Sequence, residues 1–412
     1  MIFYGKSKIL NTLSALKKML TENNPKAPEE IPEVVEYAIR YGIDGNLWKG
    51  AVAAGMILDE NAYSLSCERK DRAEDLRGLV IRDFRELYEL YTFDFCKNAF
   101  ENELTPLRQF GQKRITKNQA TKKIRQLVKE LDRCQNAADF ADAVTAFYIH
   151  YGTGKFGLYT AFYIDSNGES AKMIPIKRME NTRLSDLWGY EEQKRQITEN
   201  TDGFVAGRGG NNTLLFGDSG TGKSTCVRAL VTEYGNRGLR LVEITRHAFV
   251  HLKKIAEELS KRNYFFILYI DDLSFEEFEV EYKYFKAVIE GGLCPSPKNI
   301  LIYATSNRRH IVKETVKDKE ETDGELHRAD SVQEKLSLSD RFGLSVCFIK
   351  PLQKDYFDIV KYLAEKAKIR LPEQQLLDGA RIWGLHKGGL SGRTAKQYIA
   401  HLLGKEETEE QN

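Results

Sequence analysis

Residues 216–225 read FGDSGTGKST, and this stretch decides the fold of the chain. Gly217, Gly222, Lys223 and Ser224 have the G-x-x-x-x-G-K-[ST] spacing of the phosphate-binding P-loop. Glycines at both ends let the backbone curl so that its N–H groups converge on phosphate oxygens, and the helix that follows presents its positive end to the same anion. An apolar run precedes the loop and a helical pattern follows it, which is the setting that a P-loop requires. The sequence therefore predicts a nucleotide site formed by Gly217, Asp218, Ser219, Gly220, Thr221, Gly222, Lys223, Ser224 and Thr225.

A second motif supplies carboxylates for the same site. The apolar run 265–270, FFILYI, ends in Asp271 and Asp272, which is the form of a Walker B strand. A carboxylate at the carboxyl end of a parallel strand can hold Mg²⁺, and a second can orient the attacking water. We therefore expect Lys223 to contact the β- and γ-phosphates, Ser224 and Asp271 to hold the metal, and Asp272 to act on water. ATP and Mg²⁺ are the predicted cofactors.

Composition sets the class of protein. The chain has 412 residues, with 62 Lys and Arg against 60 Asp and Glu, which leaves a net charge of +2. Positive and negative charges are too nearly equal for the net charge alone to indicate a nucleic-acid-binding protein. The six cysteines form no C-x-x-C pair, which is typical of reduced thiols. No stretch approaches the roughly 20 apolar residues of a membrane span. We expect a cytoplasmic protein that does not bind membranes.

The first 175 residues have helical periodicity and predict a mostly helical domain. It would end in a β-hairpin around Asn167-Gly168, a strong turn signal. A basic segment, 113–133, favours a solvated helix face, and nucleic acid or an acidic partner is the alternative. Its cations are Lys113, Arg114, Lys117, Lys122, Lys123, Arg125, Lys129 and Arg133. The sequence YGTGK at 151–155 imitates a P-loop but lacks the earlier glycine and the final Ser or Thr, so we interpret it as the entry to a strand.

Strand and helix patterns alternate over 176–350. Five strand candidates separated by helices predict an α/β core with a five-stranded parallel sheet covered on both faces. Helical periodicity returns over 351–412 and predicts a three-helix lid, with the polar residues from Lys405 onward as a tail. The predicted domains are thus 1–175, 176–350 and 351–412.

Further short motifs follow the order found in the AAA+ ATPases, which this chain resembles. LWGY at 187–190 is similar to the segment that lies against adenine, and ATSN at 304–307 is similar to sensor 1, with Asn307 as its polar residue. LSDRF at 338–342 resembles the region that supplies an arginine finger, and SGR at 391–393 resembles sensor 2. The resemblance implies that Arg341 acts in a neighbouring subunit of a homo-oligomeric ring or open ring, and that Arg393 reaches the γ-phosphate from the lid.

The longer wording DDLSFEEFE, ATSNRRH, LSLSDRFGL and GGLSGRTA is most similar to a bacterial AAA+ family known only as a domain of unknown function. Two departures from the common AAA+ pattern matter. Asp272 stands where most members carry Glu, which leaves Glu276 as an alternative for positioning water. The residues after the second core strand enter a helical pattern almost at once, leaving little room for an aromatic pore loop. The charged segment 313–330 predicts a mobile loop, and Arg308 and Arg309 are alternatives to Arg341.

These observations predict an AAA+ ATPase that couples ATP hydrolysis to the remodelling or loading of a protein or protein–nucleic-acid assembly. The alternative is a slowly hydrolysing, nucleotide-gated binding module for nucleic acid or a protein partner. A small-molecule phosphotransferase would leave the sensor motifs unexplained. GTP is disfavoured because no N-K-x-D signature follows the core.

Overall fold

A computed structural model of the chain describes residues 3, 7–71, 73–94, 100–111, 118–167, 169–274, 280–289, 297–308 and 341–409. The chain divides into two compact units. The first comprises Met1–Thr160 and Pro175–Met179, and the second comprises Ala161–Ile174 and Glu180–Asn412. The predicted division into three domains at 175 and 350 differs from this, because the last helices group with the sheet and the hairpin leaves the N-terminal domain.

The first unit is helical, as its periodicity predicts. Its helices are α1 (Lys8–Thr21), α2 (Ile31–Tyr41), α3 (Leu47–Leu58), α4 (Ala62–Arg69), α5 (Ala73–Tyr91), α6 (Glu101–Arg108), α7 (Gln119–Leu131), α8 (Ala137–Tyr151) and α9 (Gly154–Leu158). A 3₁₀ turn, Ala27–Glu30, precedes α2. The core forms around α3, which is buried along nearly its whole length. Asn46 begins α3 because its side-chain oxygen accepts from the Lys49 amide at 2.9 Å.

The P-loop imitation at 151–155 is part of this helical core. It forms the end of α8 and the start of α9, so its interpretation as a strand entry is wrong; the strand begins only at Ala161. The Thr153 amide donates to the carboxylate of buried Glu68 at 3.1 Å. The Thr153 amide is thus paired with a carboxylate of the same unit.

The second unit is built on a seven-stranded sheet. Its strands are β1 (Ala161–Ser166), β2 (Ala171–Pro175), β3 (Thr213–Gly217), β4 (Leu239–Glu243), β5 (Phe265–Ile270), β6 (Ile300–Ser306) and β7 (Leu344–Phe348). They lie in the order β2-β1-β4-β5-β6-β3-β7. All five predicted core strands are present and pair in parallel, with β3 between β6 and β7. The carboxyl ends of β3, β5 and β6 therefore meet at one edge of the sheet.

The prediction of five strands is too low, because the hairpin joins the core sheet instead of ending the N-terminal domain. β1 pairs in parallel with β4, with Ala161 opposite Leu241. The short connection from β1 to β2 can only join antiparallel neighbours, so the sheet is mixed. A hairpin alone is marginally stable in water, and pairing with β4 supplies the further strands that it needs.

Helices flank the strands of the second unit. They are α10 (Glu191–Val205), α11 (Lys223–Tyr234), α12 (Leu252–Ser260), α13 (Val280–Ile289), α14 (Gln353–Lys366), α15 (Glu373–His386) and α16 (Gly392–Glu409). The 3₁₀ turns are Leu184–Asp186, Gly235–Arg237 and Arg246–His251, and the last follows β4 closely, as expected.

The last three helices, α14 to α16, pack around a shared apolar cluster that includes Tyr356, Val360, Ala380 and Ala395. The predicted tail is too long, since α16 continues to Glu409. Lys and Glu are good helix formers and can extend a helix without packing.

Candidate functional site

Two glycines fix the shape of the loop between β3 and α11. Gly217 has φ 124°, and a Cβ atom there would lie 2.1 Å from the Phe348 carbonyl oxygen of β7. Gly222, at the start of α11, has φ 99°, and its Cβ would lie 2.4 Å from Leu187. Both positions have a positive φ, which favours glycine. At Gly217 the backbone of β7 leaves no room for a side chain, whereas at Gly222 the Leu187 side chain would have to move. The loop sequence is therefore explained by its geometry, and it ends at the amino terminus of α11, where backbone N–H groups favour an anion.

Lys223 is curled over its own loop. Its ammonium donates to the carbonyl oxygens of Gly217 at 2.8 Å and Asp218 at 2.7 Å, and to the Asn307 side-chain oxygen at 3.2 Å. Burial lowers the pKa of Lys223, although Asp218, Asp272 and Asp271 oppose the effect. Three uncharged acceptors thus hold a buried cation, and a phosphate oxygen would be a stronger partner for it.

Ser224 and Asp271, the two residues predicted to hold the metal, are hydrogen-bonded to each other. The Ser224 hydroxyl donates to Asp271 Oδ1 at 2.7 Å, and the Thr305 hydroxyl donates to the same oxygen at 2.6 Å. Burial raises the pKa of Asp271, but the nearby hydroxyl groups of Thr305, Tyr269 and Ser224 outweigh burial and lower it overall. An ionised carboxylate beside a hydroxyl is an oxygen donor set that suits Mg²⁺. The residues present therefore fit the predicted ion.

Asp272 has an unusual backbone that turns it into the same cavity. Successive side chains of a strand point to opposite faces, yet Asp271 and Asp272 both line the cavity. Asp272 has φ 52°, a left-handed conformation that is uncommon outside glycine. Its amide donates to the Thr305 hydroxyl at 3.0 Å, and its carboxylate accepts from the Asn307 side-chain amide at 2.9 Å.

Two arginines approach these groups from helices. The Arg393 backbone amide donates to the Gly220 carbonyl oxygen at 3.2 Å, and its guanidinium lies 3.4 Å from the Ser219 hydroxyl. Arg228 on α11 lies 3.7 Å from Asp271 Oδ2 and 3.8 Å from Glu243. Arg393 was predicted from the sequence, whereas Arg228 was not.

Most of the predicted site residues line one cavity of about 520 Å³, whereas Gly217 and Asp218 are not among its lining residues. Residues 219–225, Asp271, Asp272, Asn307 and Arg393 line its polar end. Leu187, Trp188 and Tyr190 line it together with Ile359, Tyr362 and Leu363 of α14. The Tyr362 hydroxyl donates to the Ser185 carbonyl oxygen at 3.1 Å, and Lys366 pairs with Asp186. The cavity thus has a polar end and an apolar, aromatic end.

Other predicted residues lie away from this cavity or outside the described residues. Arg341 is exposed just before β7 and is not among the residues that line the cavity. Arg308 is described and exposed, whereas Arg309, Glu276 and the segment 313–330 lie outside the described residues.

The basic segment of the first unit is partly used inside that unit. Arg125 forms a two-pronged ion pair with Asp44, one contact at 2.7 Å, and the Lys123 ammonium donates to the Gly157 carbonyl oxygen at 2.6 Å. Lys122 and Lys129 are exposed on α7. Lys113, Arg114 and Lys117 lie outside the described residues. The charges of Arg125 and Lys123 are therefore explained by contacts within the first unit.

Thr305 and Tyr269 are site residues that the sequence prediction missed. Thr305 is two residues before Asn307, and Tyr269 is two residues before Asp271, so each shares a strand face with its predicted neighbour. That period of two was the available signal. In the part of the chain that the structure describes, every helix is too short or too polar to cross a bilayer.

Comparison with solved structures gives distant similarity. A point mutant of Thermotoga maritima RuvB is 14% identical over 53% of this chain and 64% of that chain, with a TM-score of 0.38. The T. maritima RuvB titled Holliday junction branch migration motor is 13% identical over 54% of this chain and 71% of that chain, with a TM-score of 0.33. This chain therefore spans less than two thirds of the first of these proteins, and neither likeness carries an argument about function. No curated protein matches the sequence.

The family comparison is decisive. Residues 158–406 match the family described as "Protein of unknown function (DUF815)". The match begins just before the hairpin and ends within α16, so it covers the whole sheet, the P-loop and the C-terminal helices. The predicted membership of a family of unknown function is confirmed, because the match covers more than half of the chain: the chain belongs to this family.

Proposed function

We propose that this protein is an ATPase of the AAA+ type that binds Mg²⁺-ATP in the cavity beside the P-loop and hydrolyses it. The observation that carries the proposal is the convergence of Lys223, Ser224, Asp271, Asp272 and Asn307 at the carboxyl ends of three strands. These five residues come from three separate stretches of the sequence and face one cavity. Ligands of α/β sheets bind at this edge of the sheet.

Each residue has a role that its contacts support. Lys223 exchanges its carbonyl partners for phosphate oxygens, and the N–H groups of residues 219–225 surround the triphosphate. Ser224 and Asp271 would hold Mg²⁺, which neutralises phosphate charge during transfer. Asp272 and Asn307, already hydrogen-bonded to each other, orient the attacking water. Arg393 offsets the negative charge that develops on the γ-phosphate.

The apolar end of the cavity suits a purine base. Leu187, Trp188 and Tyr190 offer aromatic and aliphatic surface, and α14 closes the cavity on the other side. We therefore assign α14 to α16 as a lid over the nucleotide. Tyr362 and Lys366 of α14 contact the turn at 184–186. Movement of the lid would therefore displace the adjoining segment 187–190, which we assign to the base.

The ATPase cycle would act through self-association. Arg341 does not line the cavity of its own chain, so we assign it to the site of an adjacent copy in a ring or open ring. Hydrolysis would then move subunits against one another and so remodel or load a protein or protein–nucleic-acid assembly. We place this activity in the cytoplasm.

A second candidate is a nucleotide-gated binding module that hydrolyses slowly. Asp272 favours it, because its backbone amide donates to Thr305 and its short carboxylate accepts from Asn307 in a left-handed conformation, which restricts the reach of the carboxylate. Exposed Lys122 and Lys129 would be contacts for nucleic acid in this case. Binding to nucleic acid would weaken steeply with salt because counterions are released, whereas binding to an apolar protein surface would change little.

The experiment that tests the proposal measures phosphate release from ATP by the purified chain with and without Mg²⁺, alongside Asp271→Asn. Mg²⁺-dependent turnover that Asp271→Asn abolishes would support an ATPase. Tight ATP binding with no turnover would favour the gated module instead. Absence of both would refute the nucleotide site.

A further inference from the structure

Tyr269 is a buried side chain whose hydroxyl makes no hydrogen bond in the described chain. It lies near the end of β5 and is 0% exposed. Within the residues that the structure describes, its hydroxyl oxygen has no hydrogen-bond partner. Buried polar groups are almost always paired, and leaving one unpaired destabilises the fold. A phenylalanine would fill the same space without this cost, so the hydroxyl needs an explanation.

The position of Tyr269 points to the metal-binding carboxylate. Tyr269 and Asp271 are two residues apart, at the end of one strand, and so share its face. The tyrosine interacts with Asp271, Ser224 and Thr305. These three already form one cluster, in which both hydroxyls donate to Asp271 Oδ1. The phenol is thus a further donor beside the carboxylate, without a bond of its own.

The cluster must rearrange if it binds a cation. Ser224 Oγ and the Asp271 carboxylate are the proposed ligands, and the hydrogen bond that now joins them constrains both. When both turn towards an ion, Asp271 needs other donors to keep its orientation, because outer hydrogen bonds fix the geometry of metal ligands. Thr305 is one such donor, and the Tyr269 hydroxyl is the second within reach.

We propose that Tyr269 is a positioning residue for Asp271, whose hydroxyl donates to that carboxylate when Mg²⁺-nucleotide is bound. The inference rests on the proposed function, since it requires that Ser224 and Asp271 hold Mg²⁺. It explains why the strand carries a tyrosine at this position: the hydroxyl is unpaired in the nucleotide-free chain and gains its partner in the loaded one. Tyr269 does not touch the nucleotide.

The variant Tyr269→Phe tests the proposal. ATP should raise the melting temperature of the protein in the presence of Mg²⁺, and the quantity to measure is the Mg²⁺ concentration at which half of this rise is reached. We expect this concentration to rise about tenfold, the lower end of the effect of removing a group that orients a metal ligand. ATP binding in EDTA should stay unchanged, because the P-loop is intact. The melting temperature of the nucleotide-free variant should be unchanged or higher, because an unpaired hydroxyl has been removed.

Tyr303→Phe is the matched control. Tyr303 is opposite Tyr269 on β6 and equally buried, but its hydroxyl contacts Asn200 and Thr201, each at 2.9 Å. This variant should melt at a lower temperature and keep the wild-type Mg²⁺ requirement.

Two results would overturn the assignment of Tyr269. An unchanged Mg²⁺ requirement in Tyr269→Phe would show that the hydroxyl does not act on Asp271. A lower melting temperature of the nucleotide-free variant would show that the hydroxyl is already paired there. If the wild-type protein itself shows no ATP-induced rise at any Mg²⁺ concentration, the proposed function fails and this inference fails with it.

Discussion

The side-chain amide of Asn307 donates to the carboxylate of Asp272 at 2.9 Å, although 35 residues separate them in the chain. Asn307 also accepts from Lys223 at 3.2 Å. One side chain therefore connects the group that would bind phosphate to the group that would orient water. Displacement of the Lys223 contact by a phosphate would free Asn307 and change the environment of Asp272 in the same event.

Asp272→Asn should leave ATP bound and slow its cleavage. The amide keeps the shape of the side chain and an acceptor for Asn307, but it loses the charge that orients water. We expect a fall in kcat of about 10² or more, measured by phosphate release at saturating ATP. Glu276→Gln is the control. If Asp272→Asn turned over ATP normally and Glu276→Gln had no ATPase activity, the water-positioning carboxylate would be Glu276.

Arg341→Ala should bind ATP normally and hydrolyse it poorly, because the proposed target of Arg341 is the site of an adjacent copy. An arginine supplied in trans contributes on the order of 10³ or more in rate. Specific activity of the wild type should rise with protein concentration. A mixture of Arg341→Ala with Lys223→Ala should regain activity, since a hybrid interface pairs an intact P-loop with an intact arginine.

Arg208→Ala is the control for that experiment. It removes an exposed ion pair with Asp202, and such pairs contribute little. Mixed oligomers that form without regaining activity, or full activity in a monomeric sample, would exclude action of Arg341 in trans.

Gly217→Ala should destabilise the second unit and abolish ATP binding. The positive φ and the overlap with the Phe348 carbonyl together cost about 2–5 kcal/mol in free energy of unfolding, measurable by urea denaturation. Gly207→Ala isolates the backbone contribution, because Gly207 has φ 73° and nothing within 4 Å of its Cβ position. Equal losses in the two variants would mean that the close approach of β7 does not constrain the loop.

Asp271→Asn should reduce the dependence of stability on acid pH. The folded state lowers the pKa of Asp271 from 3.8, so ionised Asp271 contributes stability that is complete above this value and lost as the pH falls through the folded-state pKa. Unfolding free energies should therefore fall less steeply below about pH 4 in the variant than in the wild type. Parallel curves would mean that Asp271 is not held ionised by its neighbours.

The sequence predicts the P-loop as a local structure better than it predicts the pairing of the sheet. The residues from Gly217 to Ser224 are contiguous, and their spacing reflects one local loop, so the motif alone identifies them. The hairpin at 161–175 has a clear local signal, but its pairing with β4 is made across a long stretch of chain and no local pattern encodes it. Thr305 and Tyr269 had a local signal, the period of two that places them on the strand faces of Asn307 and Asp271, but that period does not show which strands lie side by side. Their contacts arise only when β5 and β6 pair side by side.

The central claim is that this cavity binds Mg²⁺-ATP through Lys223, and calorimetric titration of ATP with Mg²⁺ into the wild type and Lys223→Ala tests it most directly. We predict binding of one ATP per chain to the wild type and a loss of roughly 10–100-fold in affinity for the variant, which lacks the charged donor of the loop. Lys261→Ala, which changes an exposed lysine after α12, should bind as the wild type does. Equal ATP affinity in Lys223→Ala and the wild type would contradict the account.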